Sequence, residues 1–138
     1  MPSVAKALCD TGPLVAMADR FDALHGKCVE AFRQFSGSLI TTWPVLTEAF
    51  YFLDDPYSRG FLWEFIVRPG IQVADIPSDD LIRIRTLMTQ YATLPMDFTD
   101  ASLVVAAERL NLRRVFTLDR RHFLLYRPRN VAAFDVFP

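Results

Sequence analysis

The sequence is poor in cysteine and in lysine. Its 138 residues include two cysteines, Cys9 and Cys28, and two lysines, Lys6 and Lys27. Two cysteines without histidines at metal-ligand spacing form neither a zinc motif nor a disulfide framework, and they fit a reducing compartment such as the cytoplasm. No charged-then-apolar leader opens the chain, and no apolar run approaches the roughly 20 residues of a membrane-spanning helix.

Short motifs of several enzyme classes are also missing. Glycine is scarce, with five residues, and no glycine-rich phosphate loop, dinucleotide fingerprint or Ser-His-Asp order is present. The two histidines are weak catalytic candidates. His25 lies among surface-like residues at a helix start, and His122, which lies near several acids, fits a structural or solvated role better.

The composition indicates one globular domain, residues 1–138. Hydrophobic residues make up 51% and charged residues 22% of the chain, and the net charge is −1, which excludes a disordered chain and gives no global attraction to nucleic acid. Twelve phenylalanines are present. We therefore expect an exposed apolar face, used by a partner or for self-association.

Positive charge is concentrated in the last third of the chain. Seven arginines and one acid, Asp119, lie between Arg109 and Arg129. Arginine suits bidentate contact with phosphate, but a GC-rich genome also favours arginine over lysine. The sequence leaves both explanations open.

Short apolar runs alternate with helical periodicity, which predicts a parallel sheet covered on both faces. The predicted strands are 4–9, 38–42, 71–76, 114–118 and 130–137. The predicted helices are 14–18, 22–35, 44–53, 59–67, 78–91 and 97–111, with a turn over 54–58.

Four carboxylates occupy equivalent places in this pattern. Asp10 and Asp119 follow strands, whereas Glu48 and Asp100 lie in the first turns of helices. Strand ends and helix starts meet at one edge of a parallel sheet, where four carboxylates repel one another unless cations neutralise them. Oxygen ligands without His or Cys select Mg²⁺ or Mn²⁺, which points to a metal-dependent nuclease or phosphatase.

Each acid also has an ordinary structural interpretation. Asp10 before Thr-Gly-Pro fits an Asx-turn, and Asp97 fits a helix N-cap with Asp100 completing a capping box. Glu48 fits a partly exposed helix residue, and Asp119 fits a turn in which it pairs with a neighbouring arginine. The convergence of four separate positions on one edge favours the functional interpretation.

These segments resemble the PIN-domain ribonucleases, most closely the VapC-type toxins of bacterial toxin–antitoxin pairs. The matching segments are Leu8-Cys-Asp-Thr-Gly-Pro, Leu46-Thr-Glu-Ala, Asp97-Phe-Thr-Asp-Ala-Ser-Leu-Val-Val-Ala-Ala-Glu-Arg and Val115-Phe-Thr-Leu-Asp-Arg-Arg-His-Phe. The resemblance implies a three-layer α/β/α sandwich with a mainly parallel sheet and a Mg²⁺-dependent endoribonuclease. It also implies a homodimer, and an antitoxin that covers the acidic pocket.

On this resemblance Asp10 and Asp100 hold Mg²⁺ (or Mn²⁺) directly, and Glu48 and Asp119 complete the site. Asp97 adds a further acid, and the spacing to the following small residues favours Asp100 over Asp97 as the direct ligand. The remaining candidates support the carboxylates or the RNA backbone. They are Thr11 and Thr117 beside the carboxylates, and Arg113, Arg114, Arg120 and Arg121 at the RNA.

Two other functions stay open at this stage. A PIN-like domain without catalysis would bind nucleic acid or protein only. A receiver-type phosphoacceptor domain also gathers acids at a strand edge, and Asp75 would be its acceptor, but it needs a lysine after a late strand and none follows Lys27.

Overall fold

The computed structural model describes residues 4–68, 70–129 and 132–138. Five strands lie in these ranges: β1 Lys6–Cys9, β2 Ser38–Thr42, β3 Ile71–Ala74, β4 Arg114–Phe116 and β5 Asp135–Phe137. The helices are α1 Thr11–Ala18, α2 His25–Phe35, α3 Trp43–Phe52, α4 Pro56–Val67, α5 Leu81–Gln90, α6 Phe98–Leu110 and α7 Arg120–Phe123. A single 3-10 turn, Ser78–Asp80, leads into α5.

The five strands form one parallel sheet in the order β3-β2-β1-β4-β5. Helices flank the sheet, which confirms the predicted α/β/α sandwich. From β1 the chain builds outward to β3 and then returns to the other side of β1 with β4, so the strand order reverses between β1 and β4. Open α/β sheets bind ligands at the carboxyl ends of the strands at such a reversal.

This strand order also bears on the receiver alternative. A flavodoxin-like receiver has the order 2-1-3-4-5, whereas β1 here lies between β2 and β4. The phosphoacceptor interpretation is therefore wrong at the level of topology.

Helix α6 is buried along most of its length and fixes one side of the pocket described below. Every residue from Ala101 to Ala107 is buried, and the helix packs against α5, α3 and β2. Alanine, valine and serine leave room for neighbours on every side, as a helix buried all round requires. The buried Ser102 hydroxyl is paired with Thr99 O and Thr42 Oγ1, both at 2.7 Å.

Several predicted boundaries move, each for a local reason. Helix α1 begins at Thr11 because Asp10 caps it and proline is tolerated in a first turn. Helix α4 begins at Pro56, inside the predicted turn, because Asp55 accepts a hydrogen bond from Ser58 N. Strands β3 and β4 end early, at Ala74 and Phe116, and α7 is an additional helix.

The last predicted strand begins at Asn130, but residues 130 and 131 lie outside the described residues, and β5 itself spans Asp135–Phe137. Trp43 on α3 and Trp63 on α4 are 56% and 55% exposed. No helix in the described part of the chain is long and apolar enough to cross a bilayer.

The central position of α6 gives a stability prediction. Leu103 is fully buried, so Leu103→Ala should lower the free energy of unfolding by about 2–5 kcal/mol through lost burial and a residual cavity. Leu110→Ala, at a 42% exposed position of the same helix, is the control and should change it much less. Urea unfolding measures both, and equal losses would contradict the assigned packing of α6.

Candidate active site

A pocket of about 680 Å³ lies beside the ends of β1 and β4. Six carboxyl side chains line it: Asp10, Asp22, Glu48, Asp97, Asp100 and Asp119. The structure therefore brings together all five acids that the sequence proposed and adds Asp22. No lysine or arginine is found among the described residues that line this pocket.

Asp10 is the most buried of these acids, with 8% of its surface exposed. Its backbone N–H donates to Phe116 O at 2.9 Å, so the β1–β4 pairing holds its position. Its Oδ1 accepts from Thr11 N at 2.8 Å as the N-cap of α1. Asp10 therefore accepts a local hydrogen bond, as its structural interpretation expected, and it also lines the pocket.

Thr117 connects two of the carboxylate positions. Its buried hydroxyl donates to Asp10 Oδ2 at 2.8 Å and accepts from Asp119 N at 2.9 Å. One hydroxyl therefore orients the Asp10 carboxylate and fixes the backbone from which the Asp119 side chain extends.

The carboxylate of Glu48, on α3, faces the start of α6. Its Oε2 accepts from Thr99 Oγ1 at 3.2 Å, and Thr99 is 8% exposed. Glu48 is half-buried, so it lies at the edge of the pocket and not on the solvent side of its helix.

The two acids at the start of α6 have different environments. Asp97 is the exposed N-cap, and its Oδ1 accepts from Asp100 N at 2.8 Å. Asp100 does not close a capping box; its Oδ2 accepts from the phenol of Tyr126 at 3.0 Å. Asp100 therefore has its second oxygen free of hydrogen bonds within the described residues.

Asp119 pairs with a histidine and not with the arginines that follow it. Its Oδ2 lies 2.9 Å from His122 Nδ1, and both side chains line the pocket. His122, expected to be structural or solvated, thus contributes to the pocket wall through this contact.

Burial and mutual repulsion raise the pKa of two pocket acids. The pKa of Asp10 rises to about 6, first because of burial, with hydrogen bonds from Thr117 and Thr11 opposing and the charges of Glu48 and Asp119 adding to the rise. The pKa of Asp100 rises to about 7, again first because of burial and then because of the charges of Asp97 and Asp10. The pocket is electrostatically unfavourable when its acids are ionised.

The residues present fit a hydrated divalent ion. In the described part of the chain, no three Asp, Glu, His or Cys side chains are placed to hold one ion together. Mg²⁺ does not need such a cage, because it keeps several waters and binds through one or two carboxylates. In addition, the buried Thr11 hydroxyl at the pocket wall has no hydrogen-bond partner, and ordered water around an ion would satisfy it.

The four arginines proposed for RNA contact separate into two pairs. Arg120 and Arg121 begin α7 beside Asp119 and are exposed, and Arg120 Nη1 donates to Val136 O at 3.3 Å. Arg113 and Arg114 lie at the opposite end of β4. The Arg114 guanidinium stacks on Phe35 and Phe137 and pairs with Asp135 at 3.4 Å, so it has a packing role away from the pocket.

Sequence reasoning missed four residues of the site. Thr99 and Tyr126 each donate to a pocket carboxylate, His122 pairs with Asp119, and Asp22 lines the wall. A signal existed for Thr99, which lies between two acids at a helix start. No sequence signal existed for Tyr126, because its contact with Asp100 depends on how α7 directs the chain toward α6.

Comparisons with known proteins identify the family of the chain. The PIN domain family matches residues 7–127 of the chain. The chain belongs to the PIN domain family. This match confirms the resemblance drawn from the sequence.

Two relatives cover most of its length. Ribonuclease VapC26 of Mycobacterium tuberculosis is 25% identical over 142 residues, spanning 95% of this chain and 99% of that protein. The crystal structure of M. tuberculosis VapC20, described as a sarcin-ricin loop cleaving toxin, superposes with a TM-score of 0.75 at 14% identity. It covers 85% of this chain and 92% of that one, which shows a shared fold.

The raised pKa of Asp100 predicts a pH-dependent effect of its removal. The folded state binds this proton more tightly than the unfolded chain, where the pKa is near 3.8. The stability associated with the group is therefore full below about pH 4 and is lost as the pH rises through 7. Asp100→Asn carries no charge, so it should raise the Tm of the metal-free protein at pH 8 and change it little at pH 4.

Thermal unfolding in the presence of a chelator measures this difference. Asp79→Asn, at an exposed position of the turn before α5, serves as the control and should show no such pH dependence. A Tm gain for Asp100→Asn that is the same at both pH values would show that charge is not its origin.

Proposed function

We propose that this protein is a cytoplasmic, Mg²⁺- or Mn²⁺-dependent endoribonuclease that acts as the toxin of a toxin–antitoxin pair. The observation that carries the proposal is the pocket at the β1–β4 reversal, where six carboxyl groups meet without a lysine or an arginine. The PIN family match and the ribonuclease relative that spans nearly the whole chain support the choice of RNA as substrate.

In this proposal the chain supplies a set of oriented oxygen ligands. Asp10 and Asp100 bind the ion directly, since both are drawn out of solvent and their pKa values are raised by burial. Glu48 and Asp119 complete the site. Asp97 is less suited to direct binding because it is more exposed than Asp10 and Asp100.

The remaining residues fix these ligands in place. Thr117 orients Asp10 through its hydroxyl, and Thr11, whose buried hydroxyl has no hydrogen-bond partner in the described residues, lies at the pocket wall. When bound, a divalent ion offsets the repulsion among the carboxylates and supplies the positive charge that a phosphodiester needs as water attacks it. The protein's own contribution is thus orientation and partial exclusion of solvent.

RNA needs a positive surface next to this negative pocket. Arg121 is exposed at the start of α7 and its side chain has no hydrogen bond or ion pair within the described residues, and Arg120 lies beside it. We propose that these two arginines contact the RNA backbone, which makes binding weaken as salt rises. Arg113 and Arg114, at the far end of β4, would contact RNA only beyond the pocket.

A protein partner has a suitable surface beside the pocket. Aromatic side chains of α3 and α4 are exposed in one region of the chain: Trp43, Tyr51, Phe52, Tyr57, Phe61 and Trp63. Phe52 also lines the pocket. We propose that the antitoxin binds this aromatic surface and so covers the pocket, and that the toxin itself is a homodimer.

The proposed role of Asp10 gives a direct test of catalysis. Asp10→Asn keeps the capping and Thr117 contacts sterically possible but removes the charge. RNA cleavage with Mg²⁺ should therefore fall by at least about 100-fold, the upper end of the loss typical for residues that only hydrogen-bond to a metal ligand. Gel-based cleavage of a structured RNA measures the rate, with circular dichroism to check the fold.

Asp79→Asn, far from the pocket on the turn before α5, is the matched control and should cleave at the parent rate. Parent-like cleavage by Asp10→Asn would refute the assigned site. Failure of the parent protein to bind Mn²⁺ in a calorimetric titration would favour the non-catalytic PIN-like module.

The aromatic surface gives a second prediction. Tyr51 is 80% exposed, so Tyr51→Glu should leave the monomer's fold and RNA cleavage intact while placing a charge in an apolar interface. Co-expression with the proposed antitoxin, followed by affinity purification, should then recover at least about 10-fold less complex. Glu30→Gln, on α2, is the control, and unchanged recovery for Tyr51→Glu would place the antitoxin elsewhere.

A further inference from the structure

Tyr126 is buried completely yet carries a phenol that contacts a pocket acid. Its exposed fraction is 0%, and its hydroxyl donates to Asp100 Oδ2 at 3.0 Å. Its ring packs edge-on against Phe123 and Tyr91, with centroids 5.2 and 5.1 Å away. The donor is therefore held on a rigid aromatic base under the start of α6.

The segment that carries this phenol is itself anchored. Tyr126 N donates to His122 O at 3.1 Å, so the backbone of Tyr126 is bonded to α7. On the other side, Arg127 N donates to the phenol oxygen of Tyr91 at 2.9 Å. The rings of Tyr91 and Tyr126 therefore pack against each other. Within the described residues, the hydroxyl of Tyr126 contacts a carboxylate and that of Tyr91 does not.

We propose that Tyr126 is a positioning residue that orients the Asp100 carboxylate so that its second oxygen faces the pocket. A phenol suits this task better than a lysine or an arginine. It donates a hydrogen bond without carrying a positive charge, so it fixes the carboxylate but leaves its negative charge available to a divalent ion. This inference depends on the proposed function, since it assigns a role at the same pocket.

The same arrangement explains why Asp100 and not Asp97 is set toward the ion. Asp97 is exposed, and its carboxylate accepts from a backbone N–H of its own helix, that of Asp100. The side-chain rotamer of Asp100 is instead fixed by the hydroxyl of the buried Tyr126. Residues that hydrogen-bond to metal ligands typically change metal affinity or activity 10–100-fold when they are removed.

The test compares two single-atom deletions in the same aromatic cluster. Tyr126→Phe keeps the ring and removes the donor to Asp100. Tyr91→Phe removes a neighbouring phenol oxygen whose hydrogen-bond partner in the described residues is the backbone N–H of Arg127. Calorimetric titration with Mn²⁺ should give a Kd raised about 10-fold for Tyr126→Phe and within about twofold of the parent for Tyr91→Phe. The rise in Tm on adding Mn²⁺ should shrink in the same order, and near-UV circular dichroism checks that both variants remain folded.

The outcomes separate the two proposals. If the parent binds Mn²⁺ and Tyr126→Phe binds it equally well, the positioning role is overturned and the proposed function stands. Equal weakening by both variants would also overturn it, because the effect would then come from the aromatic packing. If the parent binds no Mn²⁺, both proposals fail together.

Discussion

The structure depends on a set of carboxylates that are held close together without a cation from the protein. Asp10, Glu48 and Asp100 each accept a hydrogen bond from a neutral hydroxyl, of Thr117, Thr99 and Tyr126 respectively. None of these three acids forms an ion pair within the described residues. A lysine or an arginine in their place would relieve the repulsion, but it would also remove the charge that can attract a divalent ion. Neutral donors orient the acids and preserve that charge.

The fold makes this concentration of charge possible by using the rest of the chain to hold it. The pairing of β1 with β4 brings Asp10 next to Phe116 O, and Thr117 follows one residue later. Helix α6 is buried from Ala101 to Ala107, so its first turn, with Asp100, cannot move away from the pocket. Packing of apolar surface, which contributes roughly 25 cal/mol per Å² buried, offsets the repulsion that the acids create.

Much of this arrangement could be predicted from the sequence because it depends on position along the chain. A parallel sheet places the residues after its strands at one edge, so Asp10 and Asp119 were predictable neighbours once alternating strands and helices were recognised. The helix start at Asp97 was predictable from its capping chemistry. The strand order was not, since apolar runs of four or five residues do not specify which neighbour they pair with, and that order is what separates this fold from a receiver domain.

The contacts that complete the site were less predictable because they depend on three-dimensional packing. Tyr126 reaches Asp100 across 26 positions of sequence and only because α7 turns the chain back. The positions of the arginine side chains were also not predictable from the sequence. Their abundance between Arg109 and Arg129 suggested a single basic surface, but the Arg114 guanidinium stacks on Phe35 and Phe137. Arg109, in the last turn of α6, likewise forms an ion pair with Asp80.

Because Arg109 and Arg114 are held in contacts elsewhere, little positive charge is left beside the pocket to attract a polyanion. Arg121 is exposed next to the pocket residue His122 and its side chain has no hydrogen bond or ion pair in the described residues, whereas Arg120 Nη1 donates to the backbone of β5. Six carboxyl groups opposite so few free cations would repel RNA over a distance comparable to the Debye length of about 8–10 Å. For the proposed function this means that the metal-free pocket disfavours a phosphodiester and that a divalent ion binds before or together with the RNA.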